Sequence, residues 1–451
     1  MGGRTLLDKA SATDRKNFRL GVGQGVFVQA GSSFIRPSTI LPAFIQGLSG
    51  SCYLCGLIVT VQKFSQILPQ LIGARYLKDI PYKKPFLMGV VALRAASWLA
   101  IGLATFYWGT SNPTLVIVVF FISISLFYMA GGIGLVAFND FTRKTIDSNE
   151  RGSFFGWRAL LGGAAAVVTA LVAWLILSLM EPFPRPTQYG LLFLLAALFI
   201  AVQVFFIRPM KEPATHTVSQ REPLKDYFKE LAMILKSSRW FRTLTITKLL
   251  LSGTVLATPF YVTFAITKLG QPLMSVGAYT ILLVVAKGLG GFLWGKLADR
   301  KGHRSILIVV GSLGLLPPLL ALLSGLHHPF WMYGVFFSLG LTLDSRELLE
   351  RNYLIELSPE DSVSTFSALH NTLAAPVILF PLIGALTINL VGHQGLFILV
   401  LVVIAGGIGV AVSLPETSDS PSLTPPLGQV RWAGNVHHNG FGTQLFNTGQ
   451  A

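Results

Sequence analysis

Predominantly apolar runs of about 20 residues, the length that crosses hydrocarbon as a helix, recur near residues 19–46, 52–74, 85–108, 114–138, 153–180, 188–207, 240–266, 273–294, 305–326, 329–350, 362–390 and 394–414. Short polar segments separate them. The pattern predicts an all-α membrane protein of twelve transmembrane helices. One polar interruption is long. Residues 209–239, marked by Pro209, Pro213 and Pro223, divide the chain into six-helix halves at 19–208 and 240–414. Within that loop Leu224, Tyr227, Phe228, Leu231, Ile234 and Leu235 recur at helical spacing, opposite Lys225, Asp226, Lys229 and Glu230, which predicts an amphipathic helix on the membrane surface. Residues 1–18 are a polar tail. Residues 415–451, rich in Pro, Ser, Gly and Asn, have the composition of a disordered tail.

Composition agrees with the pattern. Of 451 residues, 52% are hydrophobic and only 12% charged, more apolar surface than a soluble core needs. Arg36, Lys63, Arg94, Lys248 and Lys287 fall within predicted spans; Arg185 and Lys268 fall in loops on one side, and nearly all other basic residues gather on the side of residues 295–304. By the positive-inside rule that side is cytoplasmic, with both termini there, and the chain is a multi-pass protein of the plasma (inner) membrane. Tyr82-Lys83-Lys84 and Arg143-Lys144 then serve as topology anchors. The net charge of +15 is spread over many loops, which excludes a nucleic-acid-binding face and fits anionic lipid head groups. The first run is too long and polar-marked for a signal peptide and stays in the mature chain. Cys52 and Cys55, at the mouth of a membrane helix, fit packing better than redox or metal chemistry. His437 and His438 lack a full metal-ligand set. No cofactor or metal is expected.

Gly295-Lys-Leu-Ala-Asp299-Arg300-Lys301-Gly302-His303-Arg304 resembles the G-x-x-x-D-R-x-G-x-R/K loop signature of the major facilitator superfamily, and the chain is similar to that superfamily over residues 19–414. The resemblance implies two pseudo-symmetric six-helix bundles that rock about a central site. It also implies that the helices starting near 19, 114, 240 and 329 line the cavity. By the same resemblance residues 295–304 form a gate: Gly295 and Gly302 permit the turn, and Asp299 docks on the start of the fifth helix near Gly152 and Ser153. Exposed N–H groups favour a carboxylate there. Arg151 and Arg158 would strengthen the latch, alongside Arg300 and Arg304; a local pairing of Asp299 with Arg300 or Lys301 is the alternative. The first-half counterpart, Gly73-Ala-Arg-Tyr-Leu-Lys-Asp79-Ile-Pro81-Tyr-Lys83-Lys84, is eroded, with its Asp six residues after the glycine instead of four. The fifth helix also lacks the Gly-Pro pair frequent in antiporters of the superfamily, having Gly156, Gly162 and Gly163 but no proline.

Charges inside spans cost a few kcal/mol each unless hydrated or paired. Among acidic residues at comparable depth, Asp344 is the best candidate, with Glu347 one turn away. An excess of buried positive charge points to a water-filled cavity and an anionic solute. Arg36, Lys63, Lys248 and Lys287 are therefore candidate substrate residues, with Gln29, Gln24, Gln62, Asn371 and Asp344 available to complete a site. A structural pair such as Lys248 with Asp344 is the competing expectation. Arg94, on a peripheral helix, is expected to be structural. His370 or Asp344 would carry a coupling proton. Pro37, Pro42, Pro69, Pro259, Pro376 and Pro381 suit bent gating helices. Glu347 and Arg351 are spaced for an i,i+4 pair, and Ser358-Pro359-Glu360-Asp361 for a helix start.

These features predict a secondary transporter that moves a small, anionic solute by alternating access, coupled to a proton or sodium gradient. Efflux of hydrophobic compounds is the rival within transport. A non-transporting receptor or assembly protein on the same fold is the rival outside it. No enzyme is expected: a membrane enzyme is the weakest reading, since no Ser-His-Asp grouping, H-E-x-x-H or phosphate-binding motif appears.

Overall fold

A computed structural model of the chain describes residues 6–77, 80–213, 238–358 and 363–416. The predicted amphipathic helix of the central loop, Asp79, the Pro359-Glu360-Asp361 helix start and the tail from 417 onward lie outside the described residues. Among those described there is no strand, and helix occupies each apolar run. The first half contains α1 (Leu6–Ser33), α2 (Ile40–Ser49), α3 (Cys52–Leu77), α4 (Lys84–Trp108), α5 (Pro113–Thr145), α6 (Arg151–Leu179) and α7 (Arg185–Ile207). The second contains α8 (Arg239–Leu251), α9 (Thr254–Ala257), α10 (Phe260–Thr267), α11 (Met274–Lys301), α12 (His303–Leu313), α13 (Leu316–Leu326), α14 (Trp331–Leu357), α15 (Val363–Leu373), a 3-10 turn Ala375–Leu379 and α16 (Phe380–Val412).

Several spans are broken where proline removes an N–H and bars its predecessor from the helical region. The first is interrupted at 34–39 around Pro37. The seventh is cut between α9 and α10 at Thr258-Pro259, and also between α8 and α9 at Ser252-Gly253, where no proline stands; the eleventh passes through the 3-10 turn at Pro376. Pro42 and Pro381 occupy first turns of α2 and α16, where a missing N–H costs nothing. Pro69 stays inside α3. Gly392 (φ 74°, ψ −179°) is not helical and breaks α16 into two arms, which belong to the last two spans. Only glycine tolerates that backbone without strain.

Eight helical stretches among the described residues are long and apolar enough to cross a membrane. The apolar runs missing from that group are α1–α2, α3 and α14, where Gln62, Lys63 and Gln66 or Asp344, Arg346, Glu347 and Glu350 lower the hydropathy. The polar helices are the ones that need protein or water beside them. Phe205, Phe292, Leu390 and Val402 are each more than 60% exposed, forming the apolar outer belt that lipid would cover. α1 starts at Leu6 rather than 19, and Asn17 within the added turns exchanges hydrogen bonds of 3.0 Å with the backbone of Lys211 after α7.

Each half packs mainly on itself, α1 on α6 and α7, α4 on α5 and α7, α11 on α14, and α16 on α8. Between halves α6 meets α11, α3 meets α16 and α2 meets α10. These contacts gather at the ends remote from the 295–304 turn. Thr39 and Thr280 hydroxyls are 2.7 Å apart, and Thr60 Oγ1 donates to Ile378 O at 3.0 Å. Gly277 allows α11 to lie against Trp174, and Gly56 admits the Pro381 carbonyl. Toward the basic face the same two helices, α6 and α11, carry glycines without neighbours. Gly152, Gly156 and Gly163 on α6, and Gly288, Gly291 and Gly295 on α11, would each present a Cβ to open space. The hydrogen bonds described between the halves thus lie at the face remote from the 295–304 turn.

Candidate functional site

The opening between the halves carries two tiers of charge. Near its closed end, Lys287 on α11 pairs with Asp344 on α14, both side chains part-exposed. Arg36 at the break in the first span lies in electrostatic range of Asp344 and of Tyr128 on α5, and its Nε is buried without a hydrogen-bond partner. Nearer the basic face, Lys248 on α8 donates to Asn371 Oδ1 at 2.9 Å and lies in range of Lys63 from the other half and of Glu347 and Glu350. Arg36, Tyr128, Lys248 and Asp344 come from the first, fourth, seventh and tenth spans. Asp344 therefore meets Lys287, and Lys248 meets an amide; no ion pair joins Lys248 to Asp344 among the described residues.

The remaining candidates have more local partners. Gln29 is exposed and lies against Gly162, where α1 and α6 approach closely. Gln24 is buried and donates to Gln203 at 3.0 Å. Arg94 sits 4.4 Å over the Phe127 ring. His370 is 3% exposed, with Nδ1 3.3 Å from Thr245 Oγ1 and Nε2 unpartnered. Cys55 is buried against the Pro42 carbonyl, and no cluster of His, Cys, Asp and Glu that could hold a metal ion occurs among the described residues.

At the turn, Gly302 takes a positive φ of 80° and separates α11 from α12. Asp299 and Arg300 are exposed, and Gly295 is half-buried. Among the described residues no hydrogen bond or ion pair joins Asp299 to the start of α6. Arg304 belongs to the second half, donating to Glu416 at 2.8 Å and to the Val412 carbonyl at 2.7 Å. Arg151 donates to the Arg143 carbonyl at 2.8 Å, and Arg158 to the Gly21 carbonyl at 2.5 Å while lying 4.6 Å over the Phe138 ring. Each of these three arginines is bound inside its own half.

Sequence reasoning missed two groups. Arg346 and Glu350 form the i,i+4 pair on α14, at 3.7 Å and both buried, whereas Glu347 and Arg351 are exposed with no ion pair between them among the described residues. Arg346 falls inside the predicted span 329–350, where the weighing of charges passed over it. The second is a knot at the basic face: Glu212 accepts from the backbone N–H of Lys83 and Lys84, and Asp140 meets Lys83, Arg143 and Lys144. Lys83 and Lys144 are thus buried structural cations as well as topology markers.

The chain matches the family model described as Major Facilitator Superfamily over residues 24–377. No curated protein matches it significantly by sequence. Among solved structures it is similar to the nucleoside transporter NupG (TM-score 0.62, 11% identity, covering 89% of this chain and 98% of that one). A bacterial homologue of the iron transporter ferroportin in an inward-facing state gives TM-score 0.65 and 14% identity over 91% and 99% of the two chains. A D-xylose–proton symporter gives TM-score 0.60 and 12% identity over 90% and 98%. Identities this low carry the fold alone. With the model match spanning most of the chain, two helical bundles and a charged cleft between them, this multi-pass membrane protein belongs to the Major Facilitator Superfamily.

Proposed function

We propose that the protein is a gradient-driven carrier of a small organic anion, seen with its cleft open to the basic face, and that this face is cytoplasmic. The observation that carries the reading is the set of cations that both halves bring to one opening, Lys63 within electrostatic range of Lys248 and Lys287 with Arg36 deeper. Like charges within electrostatic range of one another repel. An anion between them turns that repulsion into attraction and gives the two halves a shared ligand to close upon. Binding that draws the halves together at one face while they part at the other is alternating access. A proton or sodium gradient supplies the driving force.

Reconstituted protein, loaded into liposomes with an imposed proton or sodium gradient, should take up anionic solutes in preference to neutral ones of similar size. Lys63→Gln and Lys248→Gln should each raise KM by about tenfold, the worth of one charge-assisted contact. Unchanged anion uptake in both variants would overturn the anionic assignment.

A further inference from the structure

The second half holds a carboxylate that the cleft itself does not use. Glu350 on α14 is 2% exposed, and neither of its oxygens accepts a hydrogen bond. Its ion-pair partner, Arg346, stands one turn earlier at 3.7 Å and gives its Nη1 proton to Ser252 Oγ at 3.2 Å. The other charges in range are Glu347 on the same helix and Lys248 on α8, which is itself held by Asn371. The neighbouring elements present titratable groups already engaged: Lys287 of α11 with Asp344, His303 and Arg304 of α12 with Glu356 and Glu416, and His370 of α15 with Thr245. A void of about 10 Å³ lined by Arg346, Thr254 and Thr342 gives room for about one water beside the guanidinium.

A buried carboxylate with no donor aimed at either oxygen has lost its hydration without replacement. Two cations stand near it without closing a hydrogen bond: Arg346 holds Nε at 3.7 Å while its Nη1 goes to Ser252, and Lys248 is held by Asn371. We propose that Glu350 is a reversible proton-binding site, proton-bound while neither Arg346 nor Lys248 hydrogen-bonds it, and ionised when either cation closes to hydrogen-bond distance as the halves move. The proton exchanges with bulk water, and no other bond changes. Sodium is disfavoured there, since it would be a third cation beside a single carboxylate. The inference rests on the carrier reading and names its coupling ion, at a position six residues beyond Asp344 on α14 and on a different helix from His370.

Infrared difference spectra of the purified full-length protein in lipid nanodiscs, taken as pH is varied, test this without a solute. The wild type should show the carbonyl stretch of a protonated carboxylic acid that disappears as pH rises; Glu350→Gln should lose that band and Glu347→Gln keep it. A band that persists in Glu350→Gln, or a wild type with no titrating carboxylic-acid band, overturns the proposal. Should the Gln variant not fold, Glu350→Asp must shift the pH at which the band disappears, and an unshifted band overturns it equally. If the band behaves as expected while the wild type moves no solute under a proton gradient, the proton site stands and the carrier reading falls.

Discussion

The Thr39 hydroxyl lies 2.7 Å from that of Thr280, both wholly buried, and so ties the break in the first span to α11 across the two halves. Thr280 also donates to the Val276 carbonyl at 2.8 Å, which leaves Thr39 as the donor between them. Replacing Thr39 by the near-isosteric valine removes this bond at a cost of about 1 kcal/mol to the arrangement that contains it, about a fivefold change in its population. Spin labels at Tyr53 and Met274, both exposed on that face, should show longer distances in Thr39→Val. Thr39→Val/Thr280→Val should cost less than the sum of the single changes, as residues sharing one contact do.

Closure of the same face depends on two glycines. A Cβ at Gly277 would come 2.5 Å from Trp174 Cα, and one at Gly56 2.5 Å from the Pro381 oxygen, in each case against backbone that cannot yield as a side-chain tip can. Gly277→Ala and Gly56→Ala should each disfavour this state by about 1–3 kcal/mol, the usual cost of overpacking. The same label pair should report the opened face. Gly163→Ala, whose Cβ would meet nothing within 4 Å, should leave the distances unchanged.

How much of this was legible in sequence follows the range of each interaction. Apolar run length fixed the spans, and Pro37, Pro259 and Pro376 marked their breaks, because both signals are local. Rotation about a helix is not. Glu347 with Arg351 and Arg346 with Glu350 satisfy the same spacing, and only packing against α8 decides which pair is buried. Lys248 likewise had candidate partners on several helices, and the choice of Asn371 over Asp344 needed the tertiary fold. The Glu212 knot joins residues 128 and 129 positions apart, beyond any sequence pattern.

Glu212 and Glu416 occupy matching places, just after the last helix of each half, and each reaches the start of its half's third span. Their environments differ. The Glu212 side chain is 2% exposed and accepts the N–H groups of Lys83 at 2.7 Å and Lys84 at 2.8 Å, whereas Glu416 is 66% exposed and meets the Arg304 guanidinium. Glu212→Gln should therefore cost about 1.5–3 kcal/mol, the range for hydrogen bonds to a charged group, and lower the melting temperature by several degrees. Glu416→Gln should cost less than about 1 kcal/mol, and added salt should erase the difference from wild type.

Asp299 is exposed on the open face, and α6 begins across the opening with Gly152 and Ser153 also exposed. If the halves close here as they part at Thr39 and Thr280, the Asp299 carboxylate gains the free N–H groups and positive end of α6, an interaction of about 1 kcal/mol at a part-exposed helix start. Asp299→Asn keeps the size and loses the charge. It should deplete the basic-face-closed population about fivefold, read as fewer short distances between labels at Ser153 and Lys296. Arg158→Gln should act otherwise: the side chain donates to the Gly21 carbonyl and covers the Phe138 ring inside the first half, so its loss should lower thermal stability without changing those distances. Equal distance distributions for Asp299→Asn and wild type, in conditions where wild type visits both states, would remove Asp299 from the gate.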